Sequence, residues 1–106
     1  MSATIPLRFD LYVGGQLTGS EELDQEIIKV GKLSSSHLRI DDPAVSRMHA
    51  VIEVASPTEA HIIDLGSARG TVVNGERVNK HLLVTGDRVE LGQTTLVVWV
   101  GAEDIE

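Results

Sequence analysis

The feature that most constrains the fold is a series of short apolar runs, each ended within a few residues by glycine, proline or asparagine. Residues 8–13 alternate strictly, so Phe9, Leu11 and Val13 can share one face of a strand while polar residues share the other. No helical apolar period extends beyond one or two turns. We therefore expect an all-β protein, an antiparallel β-sandwich of about ten to eleven short strands.

Turn residues divide the chain into its expected strands. Asn74-Gly75 lies between two apolar runs and is the pair that best tolerates the two positive φ angles of a type I′ hairpin. Residues 14–15 and 19–22 predict turns or a polar loop. A further break is expected at residues 56–58. The runs expected to form the other strands are residues 27–30, 37–40, 48–54, 60–65, 71–73, 76–78, 81–84, 87–91 and 94–100.

The length of 106 residues suits one domain, because two halves would each be too small to bury a sufficient core. We expect an extension at residues 1–7, the sandwich at residues 8–101, and an acidic tail or the start of a linker at residues 102–106. Zero cysteines exclude a disulfide framework and fit a reducing compartment. With no leader-like start and no apolar stretch of about 18 residues, we expect a cytoplasmic protein without membrane insertion.

The acidic balance limits the choice of partner. A formal net charge of -7 and a pI near 4.9 disfavour nucleic acid, which would meet a repulsive field. A site for any anion would therefore need a local group of cations and hydrogen-bond donors.

One stretch carries such groups. In residues 41–50, a turn is followed by Ser46, Arg47 and His49, directly before an apolar strand. The polar ends of Ser46 and Arg47 are expected at the sheet rim, as in a binding loop on a rigid frame, while Met48 and later apolar residues turn inward.

Catalytic and metal sites are disfavoured by the same residues. The four histidines lie on different predicted strands without cysteine companions, so no metal site is expected. Ser46 and His49 lack the strand-turn-helix elbow of a hydrolase nucleophile. Residues 66–71 lack the Gly-Lys-Ser/Thr ending of a nucleotide-binding loop. We expect no enzyme activity and no cofactor. The histidines are His37, His49, His61 and His81.

Three predicted strand ends together supply cations and hydroxyl donors. This is the chemistry that suits a phosphorylated side chain, with its charge of about -1.5 to -2. Singly, each such residue is most often a solvated cation or a turn-forming serine. The residues are Lys32, Ser34, Ser35, Ser36, Ser46, Arg47, Ser67, Arg69 and Thr71.

Three blocks in order resemble the forkhead-associated (FHA) domain, a phosphothreonine-peptide binding module. They are Gly31-Lys32, then Ser46-Arg47-Met48-His49, then residues 64–75, which read Asp-Leu-Gly-Ser-Ala-Arg-Gly-Thr-Val-Val-Asn-Gly. The resemblance extends from about residue 8 to residue 100. It implies a β-sandwich of about eleven strands with the ligand bound by loops at one end.

The resemblance also implies roles for individual residues. Ser46 is expected to give its hydroxyl and backbone N–H to the phosphate, with Arg47 beside it. Lys32 stands where the family has a phosphate-binding arginine and can form an ion pair without the planar two-pronged contact. Ser67 is expected among the ligand-binding residues. Support of the loops, without ligand contact, is expected from Gly31, His49, Gly70, Asn74 and Gly75.

Arg69 occupies the position of the family's asparagine, which bonds the peptide main chain with a donor and an acceptor. Arginine has five donors and no acceptor, so it acts differently there. The expected function is phosphothreonine-dependent docking of a partner protein or peptide in Ser/Thr kinase signalling or assembly, within a larger multidomain protein. The alternative is a phosphate-independent interaction or scaffold domain with a site altered at Lys32 and Arg69.

Overall fold

The structure is a computed structural model that describes residues 6–56 and 59–101. These residues form eleven strands in two sheets, so the predicted all-β sandwich is confirmed. None of the described residues forms a helix suited to crossing a membrane. The strands are β1 (Leu7–Val13), β2 (Gln16–Leu23), β3 (Ile27–Gly31), β4 (Leu38–Arg39), β5 (Ala50–Ser56), β6 (Glu59–Asp64), β7 (Thr71–Val73), β8 (Glu76–Val78), β9 (Lys80–Leu82), β10 (Arg88–Leu91) and β11 (Thr94–Val100).

The two sheets pack face to face over one apolar core. The first has the order β2-β1-β11-β10-β7-β8 and the second the order β4-β3-β5-β6-β9. Alternation along each central strand sends every second side chain inward, as Phe9 in β1 and Ile52 in β5 show. Phe9 is completely buried, and Ile52 is 1% exposed. The core fixes the sheets, and therefore fixes where the connecting loops emerge.

The prediction of a polar loop at residues 19–22 is wrong. These residues belong to β2, which pairs antiparallel with β1 and carries an irregularity opposite Leu11 and Tyr12. Nearly every residue of β2 is exposed. An edge strand with little burial on either face has no apolar alternation, so main-chain pairing forms it without a sequence pattern to reveal it.

Two other expectations need adjustment. Strands β3 and β4 pair in parallel, whereas the other pairs in the described part of the chain are antiparallel. Met48 is 62% exposed and does not turn inward. Because β5 begins at Ala50, Met48 still lies in the loop, where no strand pleat sets the direction of its side chain.

The Asn74-Gly75 hairpin is confirmed. Asn74 has a φ of 51° and Gly75 a φ of 88°, as a type I′ turn requires, and the turn joins β7 to β8. The Asn74 amide donates to Asp87 Oδ1 (2.9 Å) and accepts from the Arg88 N–H (3.0 Å), so the turn is also tied to β10. The break predicted at residues 56–58 falls mostly, and the predicted acidic tail wholly, outside the described residues.

A buried carboxylate joins three strands on the outer face of the first sheet. Asp10 accepts hydrogen bonds from Arg8 (3.1 Å), Ser20 (2.7 Å) and the Trp99 indole N–H (3.0 Å). The Arg8 guanidinium also lies 5.7 Å from the centre of a Trp99 ring. The hydrogen bond from Arg8, together with those from Ser20 and Trp99, outweighs burial and lowers the pKa of Asp10 below its ordinary value.

Two adjacent isoleucines test which face of β6 points toward the core. Ile62 is 1% exposed, whereas Ile63 points to the outer face and is half-buried. Ile62→Ala removes a core side chain and should lower the free energy of unfolding by about 3 kcal/mol. Ile63→Ala serves as the control and should cost clearly less. Chemical denaturation monitored by circular dichroism measures both, and equal losses would contradict the assigned inward face of β6.

Candidate functional site

Loops from both sheets meet at one end of the sandwich and enclose an open groove of about 540 Å³, which we call the Ser46 groove. The loop between β4 and β5 provides one wall, and the loop between β6 and β7 faces it. Lys32 and Gln93 enter from two further loops. The residues that line it are Lys32, Asp42, Pro43, Ala44, Val45, Ser46, Arg47, Ala68, Arg69 and Gln93.

Gly31 brings Lys32 to the groove through a close backbone approach. A Cβ atom at Gly31 would overlap the carbonyl oxygen of Arg47, so no larger residue fits without displacing that loop. The Lys32 N–H donates to the Ser46 carbonyl oxygen (3.1 Å), and the next N–H, of Leu33, donates to that of Arg47 (3.2 Å). The backbone carrying Lys32 is thus bonded directly to the loop that carries Ser46.

His49 lies completely buried between the two main loops of the site. Its Nδ1 accepts the Ser46 N–H (3.0 Å), and its Nε2 lies 2.9 Å from the carbonyl oxygen of Gly70. Both bonds are satisfied by one neutral tautomer with its proton on Nε2. Gly70 has a φ of 86°, a conformation that favours glycine. His49 and Gly70 therefore set the spacing of the loops, and neither lines the groove.

Ser46 has one donor left for a ligand. Its hydroxyl oxygen accepts the Ala68 N–H (3.1 Å), which leaves the hydroxyl proton free to turn toward the groove. The expectation that its backbone N–H also reaches a ligand is not met, because His49 already holds that N–H. The hydroxyl of Ser46 thus bridges the facing loops and presents an O–H at their meeting point.

Three cationic side chains line the Ser46 groove, namely Lys32, Arg47 and Arg69. Arg47 and Arg69 are exposed, and within residues 6–56 and 59–101 their guanidinium groups form no hydrogen bond or ion pair. Both groups are available to an anion. In a chain of net charge -7, such a local excess of cations makes the groove an attractive site for a negative ligand.

Asp42 is a wall residue that the sequence reasoning did not assign. Its carboxylate is buried and accepts hydrogen bonds from the Ala44 N–H (2.8 Å), the Gln93 N–H (2.9 Å) and the Thr94 hydroxyl (3.0 Å). Burial raises its pKa, but these bonds and the charge of Lys32 together lower it by more, so the carboxyl stays ionised. The bond to Ala44 is an Asx turn, which the sequence Asp-Pro-Ala after another aspartate could have indicated.

Ser67 is not brought to the Ser46 groove. It is 8% exposed, and its hydroxyl donates to Asp64 Oδ1 (2.6 Å) while accepting the Gly70 N–H (2.9 Å). Asp64 also accepts bonds from the Thr71 hydroxyl (2.7 Å) and from the Gly66 N–H (2.9 Å). Ser67 therefore shapes its loop from within, and a ligand could reach its hydroxyl only by breaking these bonds.

Asn74 and Gly75 also lie away from the groove, in the β7 to β8 turn described above.

Arg69 lines both the Ser46 groove and a smaller neighbouring pocket of about 220 Å³. Besides residues shared with the groove, that pocket is lined by Gly70, Val72, Glu90 and Gly92. The structure thus groups Lys32, Ser46, Arg47 and Arg69 around one space and places the other predicted residues behind or beside it.

The Asp64 network predicts a loss of stability in acid. Burial raises the pKa of Asp64, but its bonds from Ser67, Thr71 and Gly66 lower it by more in total, so the folded pKa lies below the ordinary value. The resulting stability is present above the unfolded pKa of about 4 and is lost as the pH falls through the folded pKa. Asp64→Asn should therefore lower the free energy of unfolding by about 2 kcal/mol at pH 7.

Denaturant titrations at a series of pH values would measure this effect. The difference between the wild type and Asp64→Asn should shrink below about pH 4, where the wild-type carboxylate gains its own proton. Asp24→Asn removes the same charge from an exposed residue and should change stability little at any pH. A difference for Asp64→Asn that stays constant into acid would refute the ionised network.

Comparisons with known proteins identify the family of this chain. The profile of the FHA domain matches residues 28–92. The glycogen accumulation regulator GarA of Mycobacterium tuberculosis is 38% identical over 84 residues, which cover 79% of this chain and 51% of GarA. The oxoglutarate dehydrogenase inhibitor of Corynebacterium efficiens is 38% identical over 79 residues, which cover 74% of this chain and 55% of the inhibitor. The chain spans about half the length of these curated relatives.

A solved FHA domain has the same fold as this chain. An FHA domain from a study of phosphothreonine-dependent FHA domain interactions superimposes with a TM-score of 0.79 at 28% sequence identity. The superposition covers 89% of this chain and 95% of that one. The family profile spans more than half of the chain. This chain belongs to the FHA domain family.

Proposed function

We propose that this domain docks partner proteins through phosphothreonine, bound in the Ser46 groove. The observation that carries the proposal is the Ser46 hydroxyl, whose oxygen accepts the Ala68 N–H and whose proton is free, set among three cations. A phosphate group carries about two negative charges and three acceptor oxygens, which these donors and cations suit. The domain acts by binding, in Ser/Thr kinase signalling or assembly, and catalyses no reaction itself.

The cations have distinct parts in this proposal. Lys32 and Arg47 face the phosphate from the same side, since the backbone of Lys32 is bonded to the loop of Ser46 and Arg47. Arg69 enters from the opposite loop, next to Ala68. The phosphate thus contacts two loops that are already joined by the Ser46 hydroxyl and by His49.

The comparisons support a regulatory setting. GarA is named as a regulator of glycogen accumulation, and the second relative is named as an inhibitor of oxoglutarate dehydrogenase. The superimposed FHA domain comes from a study of phosphothreonine-dependent interactions. We infer that this domain, whose first strand begins at Leu7, acts in the cytoplasm as one module of a larger protein. Its partner carries the phosphorylated threonine. Titration of a phosphothreonine peptide library by calorimetry or fluorescence polarisation tests the proposal. Binding that persists after dephosphorylation would instead support a phosphate-independent scaffold.

The Ser46 hydroxyl provides the sharpest mutational test. Ser46→Ala removes a donor to a doubly charged acceptor and should weaken phosphopeptide binding by about tenfold or more, since such bonds contribute roughly 1.5 to 3 kcal/mol. Ser34→Ala is the matched control because Ser34 is exposed and does not line the groove. Isothermal titration with one phosphopeptide compares the variants. Unchanged affinity in Ser46→Ala would remove Ser46 from the site.

Substitutions at Arg69 distinguish phosphothreonine binding from the alternative of a phosphate-independent scaffold. If the guanidinium binds the phosphate, Arg69→Asn should weaken binding severalfold and flatten the dependence of affinity on salt, because one cation is lost from the groove. Arg69→Lys keeps the charge and should restore much of that salt dependence. Titrations at several salt concentrations provide the comparison. A rise in affinity for Arg69→Asn would show that the arginine obstructs the groove, which favours the scaffold alternative.

A further inference from the structure

An apolar pocket of about 180 Å³ lies on the outer face of the second sheet, and we call it the Met48 pocket. Leu33, Met48, Leu65 and Val51 of β5 contribute apolar side chains to its lining. Met48 is 62% exposed and Leu65 is 42% exposed, although side chains of this kind gain free energy on burial. Lys29, Ser35 and Ser36 add polar groups to its lining. A mainly apolar lining with a few polar groups is typical of a binding pocket.

A third cavity links the Met48 pocket to the Ser46 groove through shared lining residues. It has a volume of about 370 Å³ and is lined by Leu33, Arg47 and Met48. Arg47 lines both the groove and this cavity, while Leu33 and Met48 line both the cavity and the pocket. A ligand that contacts Arg47 is therefore within one side chain of the apolar lining.

The sequence places both surfaces on the same loops. Lys32 of the groove is followed by Leu33 of the pocket, and Arg47 is followed by Met48. Backbone bonds hold this arrangement, since the Leu33 N–H donates to the Arg47 carbonyl oxygen (3.2 Å) and the Leu65 N–H to that of His49 (2.9 Å). The loops that present cations on one side thus present apolar side chains on the other.

We propose that the Met48 pocket is a second contact for the same phosphorylated partner and receives an aliphatic side chain that flanks its phosphothreonine. The inference rests on the proposed function, because the phosphate holds the partner beside Arg47. The volume corresponds to about six water molecules at roughly 30 Å³ each, a space for one side chain. A stable dimer face buries about 800 Å² on each partner, so a pocket of this size points to a peptide side chain and not to a second copy.

Peptide arrays and one exposed methionine test this inference. Phosphothreonine peptides carrying leucine or serine at each flanking position in turn should reveal one position where leucine improves affinity about tenfold. Met48→Ser should reduce that preference to about twofold or less while leaving the affinity for the all-serine peptide unchanged. Leu65→Ser should act in the same direction. Val84→Ser is the control, because Val84 is 55% exposed and lines none of these surfaces.

The outcomes separate the inference from the proposed function. Phosphopeptide binding without any leucine preference, or a preference that survives both Met48→Ser and Leu65→Ser, overturns the second contact and leaves the phosphate site standing. The absence of binding to every phosphopeptide overturns both. Sedimentation of the wild type and Met48→Ser adds a further check, since a dimer that dissociates in Met48→Ser would assign the pocket to self-association.

Discussion

The site depends on a buried imidazole that bonds to two loops at once. His49 accepts the Ser46 N–H through one nitrogen and approaches the Gly70 carbonyl oxygen through the other, so each loop is positioned relative to the same rigid ring. A neutral ring has one donor and one acceptor, and here both are used. The separation of the loops, and hence the width of the Ser46 groove, follows from the size of one side chain.

Two carboxylates complete this support, and one of them, Asp42, also lines the Ser46 groove. Asp42 ties the loop after β4 to the turn before β11, and Asp64 collects donors within the loop after β6. Each carboxylate is surrounded by N–H and O–H donors and keeps its charge at low cost. The ionised carboxylates of Asp42 and Asp64 are thus stabilised locally by hydrogen bonding, while the cations Arg47 and Arg69 remain available. This division supports the proposed anion site in an acidic protein.

The sequence predicted those parts of the fold that depend on interactions between residues close together in the chain. Alternating strands such as β1 and the Asn74-Gly75 turn follow from side-chain periodicity and from the φ angles that asparagine and glycine tolerate. Strand β2 could not be predicted, because an exposed edge carries no burial pattern. The buried position of Ser67 could not be predicted either, for a related reason. A serine in a loop satisfies either a ligand or its own backbone, and only the three-dimensional position of Asp64 decides between these uses.

The lone tryptophan has a practical consequence for spectroscopy. Trp99 lies five residues beyond Thr94 on an extended strand, which puts its backbone about 16 Å from the end of the sandwich that holds the groove. Its indole N–H is bonded to Asp10, at the junction of β1, β2 and β11. Intrinsic fluorescence of this protein therefore reports on the integrity of the sheet at that junction, and a ligand can occupy the far end of the molecule without changing the emission.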